Sequence, residues 1–549
     1  MKNARMKLPI GIDSFREIRE KNKYYIDKTL FIRDIIQEDD KVSLITRPRR
    51  FGKTLNLTML REFFDITKDS VDIFRGLKIM DTEYAEQINS RPVIYFTFKD
   101  CKADSAKTLI FIIGDVILGE YRKYVNIFRG NVDVDESSNE YLTFFMVYDK
   151  LIKREMDLEF LMISVVTLEQ SLYEHYKIKP ILLIDEYDQP IMSSFEHGYH
   201  DQLKTFFAGF YGVALKGQDC LHQALLTGIQ RIAKESIFSQ LNNIRVHTVL
   251  DKRYSTYFGL TSEETEKLLH FYGIPFDEEV RQKYDGYMFG GTEVYNPWSL
   301  LNYADIGELR DYWINTSTNS LVRKLIAEAD DLFRESFERL ISEDAVKVTA
   351  NLECSFFELK HRYTLWGLLI NSGYLTVIGQ TGGRIVNVRI PNGEVRTEFS
   401  DIVADQANVQ AEGLQDMFQY LFEHEMEAFM NIYRELVISC TSYFDTKENA
   451  YHMLFLGMCI SLNSIYKIMS NIESGYGRSD IIMESLSAAV RPHIVIEFKQ
   501  GEAIDELKEE ALRQILDNRY YNALHGDILC IGIAHNKKKC SIAYKSLRN

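Results

Sequence analysis

The chain has 549 residues, 65 Lys+Arg against 80 Asp+Glu for a formal net charge of −15, 46% hydrophobic residues, and only 9 Pro and 30 Gly. That length exceeds one ordinary core and points to roughly three to four packed units; the apolar content excludes disordered, collagen-like and mucin-like chains. Seven Cys, with no Cys-x-x-Cys and no Cys/His ligand cluster, argue against a disulfide framework or a structural zinc and fit a reducing, cytoplasmic setting. The opening MKNARMKLPIGIDSF has no apolar run, and Met453–Leu462, the most apolar stretch, is about half the ~20 residues a membrane helix needs, so neither secretion nor membrane insertion is expected. The negative charge disfavours nonspecific nucleic-acid binding by the chain as a whole but leaves room for a local basic patch.

In chain order, the first ~260 residues alternate short β-branched or aromatic runs with longer helical patterns. The runs are Val42–Thr46, Pro92–Phe98, Ile181–Ile184, Ala224–Thr227 and Val246–Val249, and their interleaving with helices predicts a parallel sheet. GLTSEE from Gly259 reads as a helix start capped by Thr261 or Ser262, with Glu264 near the capping-box position. A Gly-rich turn among aromatics follows at Tyr284–Tyr303, with Asn296-Pro297 opening another helix. Residues 319–345 read as charged and helical. LWGLLINSGYLTVIG, GGRIVNVRIPNGEV and RTEFSDIV then read as helix, β-hairpin with Asn392-Gly393 at its tip, and helix, a winged-helix-like order. After about Asp405 come helices to about Leu462, three strands, a helix and two final strands. The expected division is 1–260 for a nucleotide-binding unit, 261–335 for a helical lid, 336–408 for a winged-helix-like region and 409–549 for a C-terminal α/β unit.

Residues 41–60, KVSLITRPRRFGKTLNLTML, place an apolar strand, a basic loop with Gly52-Lys53-Thr54 and an amphipathic helix in the order a P-loop requires. Backbone N–H groups at the helix start and the Lys53 ammonium would neutralise phosphates, while the Thr54 hydroxyl would ligate Mg2+. The pattern G-x-x-x-x-G-K-[ST] has Arg47 where its first Gly belongs. The strand ending Ile184-Asp185-Glu186 supplies an acid for the Mg2+ shell and a second to polarise water. A core strand followed by a solvated acidic turn is the blander reading of the same residues. Gln223–Gly228 ends in Thr227, where a γ-phosphate-sensing hydroxyl would stand. Together these predict a P-loop NTPase with an additional strand between its two Walker strands. Arg49, Arg50, Arg231 and Arg245 are candidates for stabilising transition-state charge, although Arg49 and Arg50 could instead stiffen the loop by pairing with Asp185 or Asp188.

Near the C-terminus, Asp480 lies on an apolar strand, and a second strand carries Glu497-Phe498-Lys499. Strand residues i and i+2 share a face, so Glu497 and Lys499 point the same way, and a neighbouring strand can bring Asp480 beside them. Two carboxylates and a lysine can hold Mg2+ and position water for attack on a phosphodiester. The spacing D-x16-E-x-K is the PD-(D/E)xK nuclease pattern, with Ser479 at the nominal Pro. Glu448 opens an apolar helix, with His452 one turn later, and is a candidate for a further metal-side carboxylate; Gln514 can reach back from the following helix. An ordinary strand E-F-K, an N-terminal helix charge at Glu448 and a satisfied core histidine at His452 are the plain alternatives. Lys537, Lys538, Lys539, Lys545 and Arg548 form a phosphate-contacting rim or a solvated tail.

The chain resembles the bacterial AAA-ATPase-like proteins that carry a C-terminal PD-(D/E)xK nuclease-superfamily domain. The likeness rests on LPIGIDSFREIREKNKYYIDKT, TRPRRFGKTLNLTML, PVIYFTFKD, LLIDEYDQP, LLTGIQRIAKESIFSQLNN, FGLT, YDGYMFGG with YNPWSLLNY, SGYLT, ENAYHMLFLG, ESGYGRSDIIM, IVIEFK and ALRQI. It implies an ASCE-type P-loop ATPase whose loop tolerates Arg47, with Lys53, Thr54, Asp185 and Glu186 as ATP and Mg2+ residues and Glu448, Asp480, Glu497 and Lys499 as nuclease residues. The leading expectation is an ATPase controlling a Mg2+-dependent nuclease that acts on nucleic acid, DNA first, with defence against foreign DNA as a candidate role and homo-oligomerisation left open. The second expectation is a regulatory or scaffold ATPase whose winged-helix-like and nuclease-like parts bind DNA or protein without cutting.

Overall fold

The computed structural model describes residues 6–548 apart from 131–138, 156, 218, 233–242, 314–328, 343–344, 355–360, 407–410, 440–450, 453–454, 456–457, 460–461, 463–464, 488–489 and 538. The chain forms two compact units, one chiefly Met1–Trp313 with Thr349–Val386, the other chiefly Ile326–Val348 with Asn387–Asn549. In chain order the strands are β1 Val42–Thr46, β2 Val93–Thr97, β3 Ile181–Asp185, β4 Gln223–Gly228, β5 Arg231–Ile232, β6 Ile244–His247, β7 Leu260–Thr261, β8 Tyr287–Phe289, β9 Thr292–Tyr295, β10 Val346–Thr349, β11 Glu353–Cys354, β12 Thr376–Gly382, β13 Ile385–Arg389, β14 Tyr466–Ser474, β15 Gly477–Ser485, β16 His493–Gln500, β17 Asp527–Asn536 and β18 Lys539–Arg548.

The first unit is built on a five-stranded sheet in the order β2-β3-β4-β1-β6, every pairing parallel. β4 lies between β1 and β3, the arrangement expected of a nucleotide-binding sheet with an extra strand between its phosphate-loop and acid strands. Every residue of β1, β3 and β4 is buried, as a parallel sheet covered on both faces requires. Helices Ala106–Gly130, Leu158–Tyr176 and His200–Leu215 cover it, and their Leu109, Tyr121, Leu168, Phe206 and Tyr211 join Val42, Leu182 and Leu226 in one core. A second cluster gathers Leu8, Leu260, Leu268, Val280, Tyr295 and Leu300 around helices Ser262–Tyr272 and Pro297–Ile306. Thr261 caps the first of these with the reciprocal Glu264 bond, and Asn296 caps the second with Pro297 at its first position.

The helix Arg362–Ser372 and the strands β12 and β13 follow the expected order, but the hairpin turns elsewhere. Gly382 and Gly383, with φ of 131° and 60°, make the turn, a backbone that L side chains rarely adopt. Asn392 instead starts the next helix, Gly393–Gln406, its side chain accepting the Val395 N–H at 3.0 Å. Asn is a strong helix N-cap as well as a turn former, and the cap wins where two glycines already supply the turn.

The second unit is built on the sheet β14-β15-β16-β17-β18, antiparallel except for the β16/β17 pair. The helix Ile504–Asp517 makes that parallel crossover and packs Leu512 and Ile515 with Ile482, Val495 and Ile528. Strand–strand–strand–helix–strand–strand is the order read from the sequence.

Close backbone approach is most severe at Gly367, where an added Cβ would stand 1.8 Å from the Asn351 carbonyl oxygen. Gly367→Ala must move backbone rather than a flexible side chain, so it is expected to destabilise the first unit by about 1–3 kcal/mol. Denaturant titration checks this; unchanged stability would contradict the packing.

Candidate active sites

The first site lies where an apolar strand ends in an acid, and the second where two neighbouring strands carry acids within their length. In the first unit β1 runs into the loop 47–52, and Gly52, with φ of 82°, caps the helix Lys53–Phe64. Only glycine takes that backbone without strain. Lys53 is buried and turns its ammonium onto the carbonyls of Arg47 at 3.0 Å and Pro48 at 2.8 Å. Burial lowers its pKa, opposed by the charges of Glu186 and Asp185. A buried ammonium held by loop carbonyls fits an anionic phosphate.

Asp185, wholly buried at the end of β3, accepts hydrogen bonds from Thr54 Oγ1 and Thr227 Oγ1, both at 2.7 Å, and from Thr97 Oγ1 at 3.5 Å. The phosphate-loop helix, β4 and β2 therefore converge on one carboxylate. Burial raises its pKa against the hydroxyl bonds that lower it, and a carboxylate beside hydroxyls is a hard-oxygen set suited to Mg2+. Glu186 follows with φ of 51°, in the left-handed region. A non-glycine there is uncommon, and such outliers concentrate at functional sites. Asp188 spends its Oδ2 on the amides of Ile229 at 2.9 Å and Gln230 at 2.7 Å, and burial pushes its carboxyl up to about 6.

The arginines depart from expectation. Arg50 stacks on Trp298, its guanidinium carbon 4.3 Å from the ring centroid, and the Arg49 carbonyl accepts Trp298-independent bonding from Trp313 Nε1 at 3.4 Å. Asp185 and Asp188 are already occupied by hydroxyls and amides, so the expected pairing of these arginines with them does not form. Arg245 pairs with Asp40 at 3.0 Å, and Arg231 sits in β5 beside Glu353 of β11. Arg47, at the nominal glycine position, points inward. Its Nη1 donates to the carbonyls of Thr46 at 2.8 Å and His247 at 3.1 Å, and its guanidinium lies 5.3 Å from the Phe258 ring centroid and 5.2 Å from that of Phe289. Burial lowers its pKa to about 10. Gln230 also escapes sequence reading: it accepts from Asn371 Nδ2 and donates to Ser372 Oγ, both at 3.1 Å. No local signal links residues so far apart in the chain.

In the second unit β15 and β16 pair over Ile481↔Ile496, Ile482↔Val495 and Met483↔Ile494. Beyond Ile481 the carboxylates take the backbone donors. Phe498 N donates to Asp480 Oδ2 at 2.7 Å, and Asp480 N to Glu497 Oε2 at 3.3 Å. Lys499 Nζ is 3.5 Å from Glu497 Oε1, and Gln514 Nε2 donates to the same oxygen. Burial, then the Asp480 charge, pushes the Glu497 carboxyl up to about 7; burial raises Asp480 as well. Paired acids held above their ordinary range fit a divalent cation, whose charge removes the cost of ionising both. Glu448 lies outside the described residues. His452 is buried with its ring centroid 5.8 Å from that of Phe498. Among the described residues, no group of three or more His, Cys, Asp and Glu side chains gathers to hold a metal.

Known protein families match the two stretches of chain that carry these sites. Residues 9–238 match the family described as predicted AAA-ATPase, and residues 446–545 match the PD-(D/E)XK nuclease superfamily. An "Uncharacterized protein in vnfD 5'region" of Azotobacter chroococcum mcd 1 is 28% identical over 405 residues, covering 72% of this chain and 70% of its own length. No helix among the described residues is long and apolar enough to cross a membrane.

The Glu497 carboxyl binds its proton more tightly folded than unfolded, so between its ordinary 4.5 and about 7 the folded state holds the extra proton. Its contribution to the stability of the chelator-treated protein should be greatest below that window and fall by up to about 3 kcal/mol as pH rises through it. Glu497→Gln should flatten the profile. Denaturation midpoints taken from pH 4 to 8 decide it, and identical slopes for both proteins would remove Glu497 as the cause.

Proposed function

Because this chain joins a predicted AAA-ATPase region to a PD-(D/E)XK nuclease-superfamily region, we propose that it binds and hydrolyses ATP with Mg2+ and that its C-terminal unit cleaves nucleic acid, DNA first, with Mg2+. The observation that carries the nucleotide half is the convergence of Thr54 and Thr227 on Asp185, beside the buried Lys53. In this reading Lys53, Gly52 and the first amides of helix Lys53–Phe64 hold the phosphates. Thr54 and Asp185 would hold Mg2+, Thr227 would read the γ-phosphate, and Arg49 and Arg50 would supply positive charge at the loop. Mg2+-bound ATP supplies a transferable phosphoryl group; Glu186 orients the attacking water and accepts its proton.

The C-terminal half rests on Asp480, Glu497 and Lys499 meeting where β15 and β16 part. Asp480 and Glu497, with Glu448 from the preceding segment, would hold Mg2+, which polarises the scissile phosphate. Lys499 positions the water. Residues 261–335 as a lid and 336–408 as a winged-helix-like connector complete the proposed division, with defence against foreign DNA as the role this combination suits.

Lys53→Ala removes the main phosphate cation and should weaken ATP binding about tenfold or more. Glu186→Gln should bind ATP within about twofold of wild type but turn it over far more slowly, since its loss acts in the transition state. Calorimetry and steady-state hydrolysis separate the two; equal affinity for Lys53→Ala rejects the site.

Asp480→Ala and Lys499→Ala should each abolish Mg2+-dependent cleavage, the first also weakening metal binding and the second leaving it largely intact. If wild type cuts neither DNA nor RNA with Mg2+ or Mn2+, with or without ATP, the unit is a binding module instead.

A further inference from the structure

The turn between β14 and β15 presents a large aromatic to solvent four residues before Asp480. Tyr476 is 79% exposed, although it is held on a backbone with little freedom. Its N–H donates to the Asn518 carbonyl at 2.8 Å, and Ser474 Oγ donates to the Tyr520 carbonyl at 2.6 Å. Gly475, with φ of 59°, lies so close to the segment after helix Ile504–Asp517 that an added Cβ would be 2.0 Å from the Asn518 oxygen. The turn is therefore clamped to that segment, and only the Tyr476 ring projects.

The clamp continues into the acid pair. Tyr520, itself 1% exposed, accepts from Gln514 Nε2 at 3.1 Å and Asn518 Nδ2 at 3.0 Å through its hydroxyl. Gln514 Nε2 also donates to Glu497. One step along β15, exposed Arg478 shares a strand face with Asp480. The exposed ring in the turn is thus followed along the chain by a cation and then by a metal-type acid, the latter two about 7 Å apart on the extended strand. A strand of nucleic acid offers the matching series, since its phosphates suit the cation and metal while a base suits the ring.

We propose that Tyr476 is a stacking platform for an unpaired nucleobase next to the phosphate at Asp480 and Glu497, so that the C-terminal unit prefers single-stranded nucleic acid, or a frayed or flapped end, to intact duplex. Duplex bases have both faces covered by their neighbours, and only an unpaired base can place a face on the ring. The inference rests on the nuclease reading for the position of the phosphate.

The test uses the full chain with Ca2+ in place of Mg2+ to suppress cleavage, and measures anisotropy on labelled single-stranded DNA, single-stranded RNA and blunt duplex DNA of one sequence. Tyr476→Ala should weaken binding to at least one single strand roughly tenfold and leave duplex binding unchanged. Tyr476→Phe should restore it, because the ring rather than the hydroxyl stacks. Thermal stability should match wild type in both variants, which separates stacking from folding. Cleavage with Mg2+ separates this inference from the reading beneath it. If wild type cuts and Tyr476→Ala binds and cuts single strands equally well, the stacking role falls while the nuclease stands; if wild type neither binds nor cuts any of the three, both fall.

Discussion

The buried Asp185 carboxylate is the constraint around which the first unit is organised. A carboxylate taken out of water must be met by donors, and here they come from Thr54 on the phosphate-loop helix, Thr227 at the end of β4 and Thr97 at the end of β2. One acid thereby registers the ends of neighbouring parallel strands and fixes the first turn of the helix Lys53–Phe64. Hydroxyls can exchange a proton-donating role for metal coordination without moving far. The same contacts that satisfy the acid in this structure therefore suit it to a hydrated cation, as the proposed nucleotide site requires.

The C-terminal acids solve the same problem by different means. Asp480 and Glu497 accept backbone amides where β15 and β16 stop pairing, so the carboxylates themselves bridge the two strands there. Lys499 and Gln514 complete the shell of Glu497. Burial keeps both acids above their ordinary range, and that stored cost is what a divalent ion would relieve. In the first unit Asp188 shows the contrasting use of a buried acid, its oxygen committed to the amides of Ile229 and Gln230 and thus to holding the turn after β4.

Arg47 explains how a phosphate loop can carry a large side chain where glycine is nominal. Its guanidinium leaves the loop altogether and lies between Phe258 and Phe289, bonded to the Thr46 and His247 carbonyls. The loop is thereby tied to β6 and to the aromatic hairpin of β8 and β9, while Gly373, whose added Cβ would meet Pro48 at 2.9 Å, brings the end of helix Arg362–Ser372 against the same loop.

The sequence by itself determined the five strands of the first parallel sheet, the order of the five C-terminal strands, the helix after Gly52-Lys53-Thr54, the caps at Thr261 and Asn296, and the pairing of an acid strand with an E-x-K strand. These depend on local periodicity, glycine conformation and capping chemistry, which act within a few residues. Tertiary structure alone decided that Arg47 turns inward, that Arg50 lies on Trp298 rather than on an acid, that Gln230 meets Asn371 and Ser372, and that Gly382-Gly383 rather than Asn392-Gly393 makes the turn. In the first three cases the deciding partners lie more than a hundred residues away, at His247, Phe258 and Phe289 for Arg47, Trp298 for Arg50, and Asn371 and Ser372 for Gln230, so only packing of the chain brings them within reach. At the hairpin two local signals competed, and the helix that needed a cap claimed Asn392.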